Sequence, residues 1–229
     1  MSRARRSILG TCLIWSTIVN AADDSPDDIL ARMSAAYAAA QSYSDTGEVL
    51  VHWKDQSEPN EIRFETAFAR PNYFKFVWVA HHPYLPLRHI KWRSAIWSDG
   101  TKSYLWQMHD EPASEPQSTQ TLELAVAGAT GVSGGAALTV ANLLMPEIQA
   151  HSIRELKRLH LLGIEQVEGI PCYHITGSGV LGDHDIWVST DDLLIRKLRF
   201  LILNTPHEEI RRNVKVGVSL PPGTFSFSK

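Results

Sequence analysis

The chain has 229 residues, with 22 Lys and Arg against 25 Asp and Glu, 44% hydrophobic residues and 2 cysteines. It is long enough to bury a substantial core, and too balanced in composition to be disordered, collagenous or a small disulfide scaffold. The first 21 residues stand apart. Ser2-Arg3-Ala4-Arg5-Arg6 is a basic n-region, Ile8 to Val19 is mostly apolar, and Val19-Asn20-Ala21 offers a small-residue cleavage site. This pattern predicts a secretory signal peptide cut after Ala21, because the apolar run is well short of the roughly 20 residues of a spanning helix. The cut removes three arginines and no acid, so 208 residues remain and the net charge moves from −3 to −6. An acidic exported protein lacks the electrostatic footprint for nucleic acid.

Ala4-Arg5-Arg6-Ser7-Ile8-Leu9 also resembles a twin-arginine signal, which leaves the export route open. Cys12 has only a short apolar stretch before it, which argues against lipidation, and the cleavage removes it. Cys172 then stands alone, and no internal disulfide can form.

Ser25-Pro26-Asp27-Asp28 is a helix start, with Ser25 as cap and Pro26 at the first helical position. Ile29, Leu30, Met33, Ala36, Tyr37 and Ala40 then follow at helical spacing. From Tyr43 the period becomes two. Val49, Val51 and Trp53 share one parity, as do Ile62, Phe64, Thr66 and Phe68, then Phe74, Phe76 and Trp78. Further strands are predicted over 88–97 and 101–107, joined by a turn at Asp99-Gly100. Residues 110–120, rich in Pro, Glu, Ser and Gln, read as a loop. Leu122–Ala129 and Ala136–Met145 read as two short apolar helices around a Gly-rich hinge. Strands return over 155–168, 171–178, 184–190, 194–203, 208–217 and 224–228. The last long strand pair is apolar on both faces around 194–203, which predicts cover on both sides or a concave apolar face.

Arg70-Pro71-Asn72 followed by Tyr73-Phe74-Lys75-Phe76, then Trp97-Ser98-Asp99-Gly100-Thr101-Lys102, and a terminal Phe225-Ser226-Phe227 resemble the LolA/LolB-like superfamily of outer-membrane lipoprotein carriers. The resemblance implies an α+β, mostly β chain. It would be one domain over 22–229, an incomplete antiparallel β-barrel of ten or eleven strands with an N-terminal helix and a mid-chain helical lid. It implies a periplasmic, non-enzymatic protein without cofactor that binds a lipid or lipoprotein acyl chain. A membrane protein of the inner or outer membrane would be a further partner, and the protein would be a monomer. By motif position Arg70 is the lid latch, the arginine that bonds lid carbonyls. The extended 80–90 connection and the Gly-rich insertion depart from the carriers' pattern.

Acyl binding needs apolar area, at about 0.8 kcal/mol per buried methylene, so a mostly enclosed dodecyl chain gains on the order of 8 kcal/mol before ordering costs. Phe64, Phe68, Phe74, Phe76, Trp78, Leu122, Leu138 and Leu143 are the candidate wall residues; an ordinary core would use the same types. His81, His82 and His89 lack zinc-site spacing and read as loop histidines. Cys172 and His174 share a strand face, with His160 or His184 across from them, yet nothing nearby suggests an oxyanion hole. Gly128–Gly135 lacks the Gly-Lys-Ser/Thr of a phosphate loop. Arg211-Arg212 with Lys215 forms a small basic stripe that is either solvated or turned to anionic head groups. Two rivals remain at this stage: an interaction or envelope-sensor module on the same fold, and a hydrolase or metalloenzyme.

Overall fold

The computed structural model describes residues 25–81, 87, 91–108, 115–148, 153–180 and 182–226. The first helix, α1 (Pro26–Ala39), starts where the sequence places it. The Asp28 N–H donates to Ser25 Oγ at 3.1 Å, and the Ser25 hydroxyl donates to the Asp28 carboxylate at 2.8 Å. Ile29, Leu30, Met33 and Tyr37 form its buried stripe.

Eleven strands follow: β1 (Ser42–Val51), β2 (Asn60–Ala69), β3 (Tyr73–His81), β4 (Lys91–Asp99), β5 (Ser103–Met108), β6 (Gln117–Thr119), β7 (Lys157–Val167), β8 (Ile170–Gly179), β9 (Gly182–Ser189), β10 (Ile195–Ile202) and β11 (Thr205–Val216). They make one antiparallel sheet in the order β6-β5-β4-β3-β2-β1-β11-β10-β9-β8-β7, so the chain's last strand closes against its first while β6 and β7 remain edges. This is the incomplete barrel that the resemblance implies. Register shifts between Lys157 and His160, and between Leu161 and Gly163, put two bulges into the edge strand β7.

Two strand boundaries differ from the sequence reading. Residues 117–119 pair with β5 inside the expected loop. Residues 224–226 form a turn instead of a strand, and Phe225 packs its ring 5.4 Å from that of Tyr73. Residues 227 and 228 lie outside the described residues, as do the signal-peptide segment, His82 and His89. Trp53 lies beyond the end of β1 and is exposed.

Inside the sheet's curve lie α1, α2 (Leu122–Thr130), α3 (Ala136–Thr139) and α4 (Ala141–Leu144), so the second helix expected over 136–145 is split into two short pieces. The core runs continuously from α1 through α2–α4 to the inward faces of β1–β4 and β8–β10. The helices supply the cover expected for the inner face around 194–203. Leu194, Ile195 and Leu198 are buried, whereas Leu201 and Leu203 on the outer side and at the turn are exposed. A second small cluster, Ala95, Trp97 and Trp106, forms on the outer face.

Candidate functional site

The alternation of β2 and β3 sets Phe64 opposite Trp78, Thr66 opposite Phe76 and Phe68 opposite Phe74, all facing the helices. The Phe64 and Phe76 rings stack at 5.4 Å, and Phe76 meets Trp78 at 5.6 Å. These five aromatics and Leu143 are buried in the main core, with Leu122 packed at its margin.

An apolar cavity of about 110 Å³ opens instead between α2–α4 and strands β8–β10. Of the eight wall candidates, only Leu138 lines it, joined by Ile153, Leu156, Leu198, Phe200 and Ile202. Sequence reading missed these last five as a set, because they come from two segments more than forty positions apart and only the sheet order brings them together. Phe200 is sandwiched between the imidazoles of His184 (5.7 Å) and His207 (5.6 Å). Burial pushes both histidines below their ordinary 6.5, against a hydrogen bond to a backbone carbonyl in each case, which favours neutral imidazoles on either side of Phe200. Asn142 also lines the cavity, and its side-chain oxygen is buried without a hydrogen-bond partner among the described residues. Gly134 and Gly135, with φ of 62° and 94°, form the turn between α2 and α3, where glycine is the natural occupant. A Cβ on Gly135 would lie 3.0 Å from the Phe200 ring, so the cover rests directly on the cavity wall.

The cover is held by a buried ionic cluster at the other side of α3. Arg211 donates from Nη2 to the Ala136 carbonyl at 2.9 Å, from Nη1 to Asp45 and from Nε to Glu209. The Thr139 hydroxyl donates to Glu209 at 2.8 Å, and the Tyr43 hydroxyl donates to Asp45. Arg211, Asp45, Glu209, Tyr37 and Tyr43 are all buried. Burial pushes the Glu209 carboxyl above its ordinary 4.5 despite Arg211, and drives the Tyr37 hydroxyl up to about 12.

Arg70 does something different from the latch expected of it. Its Nε and Nη2 donate to the carbonyls of Ala40 (3.2 Å) and Ala38 (2.6 Å), and its guanidinium lies 5.0 Å from the Phe68 ring centroid. Among the described residues none of its hydrogen bonds reaches α2–α4. It ties down the C-terminal end of α1; the arginines bonded to the mid-chain cover are Arg211, which is buried, and Arg154, whose Nη2 donates to the Asn142 carbonyl at 3.0 Å. The sequence places Arg211 with Arg212 in a basic stripe, either solvated or turned to anionic head groups. The strand parity separates them: Arg211 points inward, and Arg212 pairs outside with Glu48 and Glu168.

Cys172 and His174 lie on the outer face. Burial pushes the Cys172 thiol up to about 11, and its Sγ donates to the Ile170 carbonyl. His174 has Glu165 at 3.0 Å on one ring nitrogen and Asp185 at 3.1 Å on the other, with its ring stacked on Trp187. His184 is on the inner face, away from Cys172, and His160 is exposed opposite Thr176. A raised thiol pKa is the reverse of what a cysteine nucleophile needs. Among the described residues no group of three or more His, Cys, Asp or Glu side chains is arranged to hold a metal ion. A broader groove of about 1080 Å³ crosses the outer face of β1–β4, but charged side chains such as Arg63, Glu65, Lys75 and Arg93 line it.

Solved structures with a similar fold include LprF from Mycobacterium bovis, 12% identical with a TM-score of 0.50, covering 86% of this chain and 95% of that one. MucB is 9% identical with a TM-score of 0.50, covering 89% and 62%. A LolA superfamily protein, NE2245 from Nitrosomonas europaea, is 13% identical with a TM-score of 0.36, covering 89% and 98%. At such identities these are likenesses of fold. No curated protein matches the chain in sequence. Residues 26–229 match the family described as "Predicted periplasmic protein (DUF2092)", and the chain belongs to that family.

Proposed function

We propose that the protein is an exported, non-enzymatic binder of a lipid or lipoprotein acyl chain, taken up between the α2–α4 cover and the inner face of β8–β10. The apolar cavity under a helical cover carries this reading. Its volume of about 110 Å³ is below the roughly 300–1,000 Å³ of pockets that hold sizeable ligands. Uptake therefore requires the cover to swing outward, with Gly134 and Gly135 as the pivot and the Arg211 cluster as the point that must yield. A hydroxyl or amide N–H near the chain's polar end would satisfy the unpaired oxygen of Asn142. In this reading the chain is made with a signal peptide cleaved after Ala21, acts in the periplasm as a monomer, and passes its ligand to or from a membrane protein.

The filled interior around Phe64, Phe68, Phe74, Phe76 and Trp78 favours a second reading, an interaction module whose concavity its own side chains occupy. Native mass spectrometry after gentle extraction from the cell envelope separates the two. A stoichiometric adduct of lipid mass is expected, and it should disappear when Leu138→Trp fills the cavity. A protein that is empty under all extraction conditions would favour the interaction module.

A further inference from the structure

Among the described residues, the two ends of the half-barrel differ in what their turns expose. At the end where β2 meets β3, β4 meets β5, β7 meets β8 and β9 meets β10, the turn residues Pro71-Asn72, Thr101-Lys102, Glu168-Gly169 and Asp191-Asp192 offer no large apolar side chain, and the exposed Tyr73 and Val216 of that end belong to the terminal strand positions. At the opposite end, four described connections each expose one large apolar residue beside polar ones. Trp53 follows β1 and is 41% exposed, Val132 in the α2–α3 turn 47%, Val180 at the β8–β9 hairpin 73%, and Leu203 at the β10–β11 hairpin 93%. The α2–α3 turn belongs to this end because its Gly134 abuts Val49 and Ile62, and its Gly135 abuts Phe200 and Ile202.

Leu203 is the least expected of the four. Leu203 and Asn204 form a two-residue hairpin turn with φ of 49° and 64°, the type I′ pattern. Glu168 and Gly169, with φ of 50° and 83°, form the same kind of turn at the far end. Type I′ turns select Asn, Asp and Gly, because other side chains crowd the backbone in the left-handed region. Leu203 thus holds an unfavourable backbone conformation and exposes nearly its whole side chain. Neither packing nor turn chemistry accounts for a leucine there.

We propose that this end of the barrel docks on the surface of a lipid bilayer, with Leu203, Val180, Val132 and Trp53 entering the interfacial zone. The tips stand on four separate segments with polar residues between them, such as His52, Lys54 and Asn204. Among the described residues they form no continuous apolar groove for a protein helix or strand, whereas a bilayer accepts isolated side chains without matching their spacing. Tryptophan beside lysine, as in Trp53-Lys54, suits the boundary between head groups and acyl chains. Val180 and Ile202 also line the apolar cavity, so its mouth would face the membrane. Exposed charges of both signs surround the tips, Lys54, Lys91 and Lys157 with Asp55, Glu58 and Asp183, so adsorption should not depend on anionic lipid. Docking stands on the tips alone and does not require the ligand-binding reading.

The test is flotation of the chain from Ala22 onward, which carries every element described, with phosphatidylcholine vesicles. The unaltered protein should float with the lipid. Leu203→Asn and Val180→Asn should each lower the lipid-bound fraction several-fold, and the pair should nearly abolish it. Asp191→Asn at the far end should change nothing. Leu203→Asn should also raise the melting temperature or leave it unchanged, since Asn suits the turn; a purely structural leucine would lower it. Absence of flotation at high lipid, or equal flotation of Leu203→Asn, would overturn the proposal. Lipid-independent self-association that Leu203→Asn abolishes would overturn it in favour of a protein partner. Loss of docking in Leu203→Asn, a residue outside the cavity wall, would leave the lipid adduct of the Leu138 experiment untouched, so the two readings fail separately.

Discussion

Gly47 and Arg211 face each other across the β1–β11 ladder, and the absence of a side chain at Gly47 makes room for the ring that supports the guanidinium. The Arg211 Cζ lies 4.8 Å from the centroid of the Phe64 ring. A Cβ on Gly47 would stand 2.4 Å from Phe64 Cζ and 2.3 Å from the Ile210 carbonyl oxygen. Gly47→Ala is therefore expected to displace the ring and cost about 1–3 kcal/mol, as overpacking in a filled core does. Chemical denaturation measures this, and a loss near zero would mean that the ring has freedom the packing denies it.

Removing Arg211 should cost more. Arg211→Met strips the hydrogen bond to Ala136 and leaves Asp45 and Glu209 buried without their counter-charge. Breaking one side of a buried ionic cluster costs about 3–5 kcal/mol, whereas replacing all members with neutral groups restores much of it. Arg211→Met combined with Asp45→Asn and Glu209→Gln should recover stability. Hydrogen exchange over 136–145 should stay faster than in the unaltered chain, because the tie to Ala136 is still missing.

The same cluster gives stability a direction with pH. Burial raises Glu209 in the folded state, so the folded chain holds a proton that the unfolded chain releases near 4.5. Its contribution is complete below that pH and declines as pH rises through the folded value. Glu208, the next residue, runs the other way. Burial acts to raise it, but hydrogen bonds from Arg199 and Lys197 outweigh that and lower it. Its contribution is present above 4.5 and fades on acidification. Glu209→Gln should flatten the fall of unfolding free energy on the alkaline side of 4.5 and leave the acid limb unchanged, as read from denaturation midpoints across pH.

Arg70→Leu is expected to loosen α1. Loss of the bonds to Ala38 and Ala40 should cost about 1–3 kcal/mol and accelerate hydrogen exchange in the last turn of the helix. Residues 122–145 should keep their protection. Faster exchange in 122–145 with an intact α1 would return Arg70 to the latch role that its motif suggests.

The architecture was legible because period-two alternation and helix-start chemistry are local. Ser25-Pro26 sets the start of α1, and Val49, Phe64, Phe76 and Trp78 face inward as their parity demands. Elements without a period escaped. Residues 117–119 are too few to show alternation, and Phe225 joins Tyr73 from a turn although its spacing imitates a strand. The ionic cluster was hidden for another reason. Asp45, Glu209 and Arg211 all sit at inward parity, but charged residues on a strand read as its wet face until a second inward charge is matched to them. That match depends on β1 pairing with β11, 166 positions apart between Asp45 and Arg211. The cavity wall had no local signal either, because β8–β10 and the cover meet only through the sheet order.

The bulges in β7 have a consequence for how copies of the protein meet. An open half-barrel leaves β7 with unpaired backbone groups, and Leu161, Leu162 and Ile164 are exposed along it. A straight strand of that composition would template a second chain edge to edge and seed aggregates. Two breaks in register within seven residues interrupt the row of donors and acceptors, and Gly163, with φ of 134°, supplies a bend that side chains resist. The seam can remain unzipped without offering a second copy a regular edge to pair with.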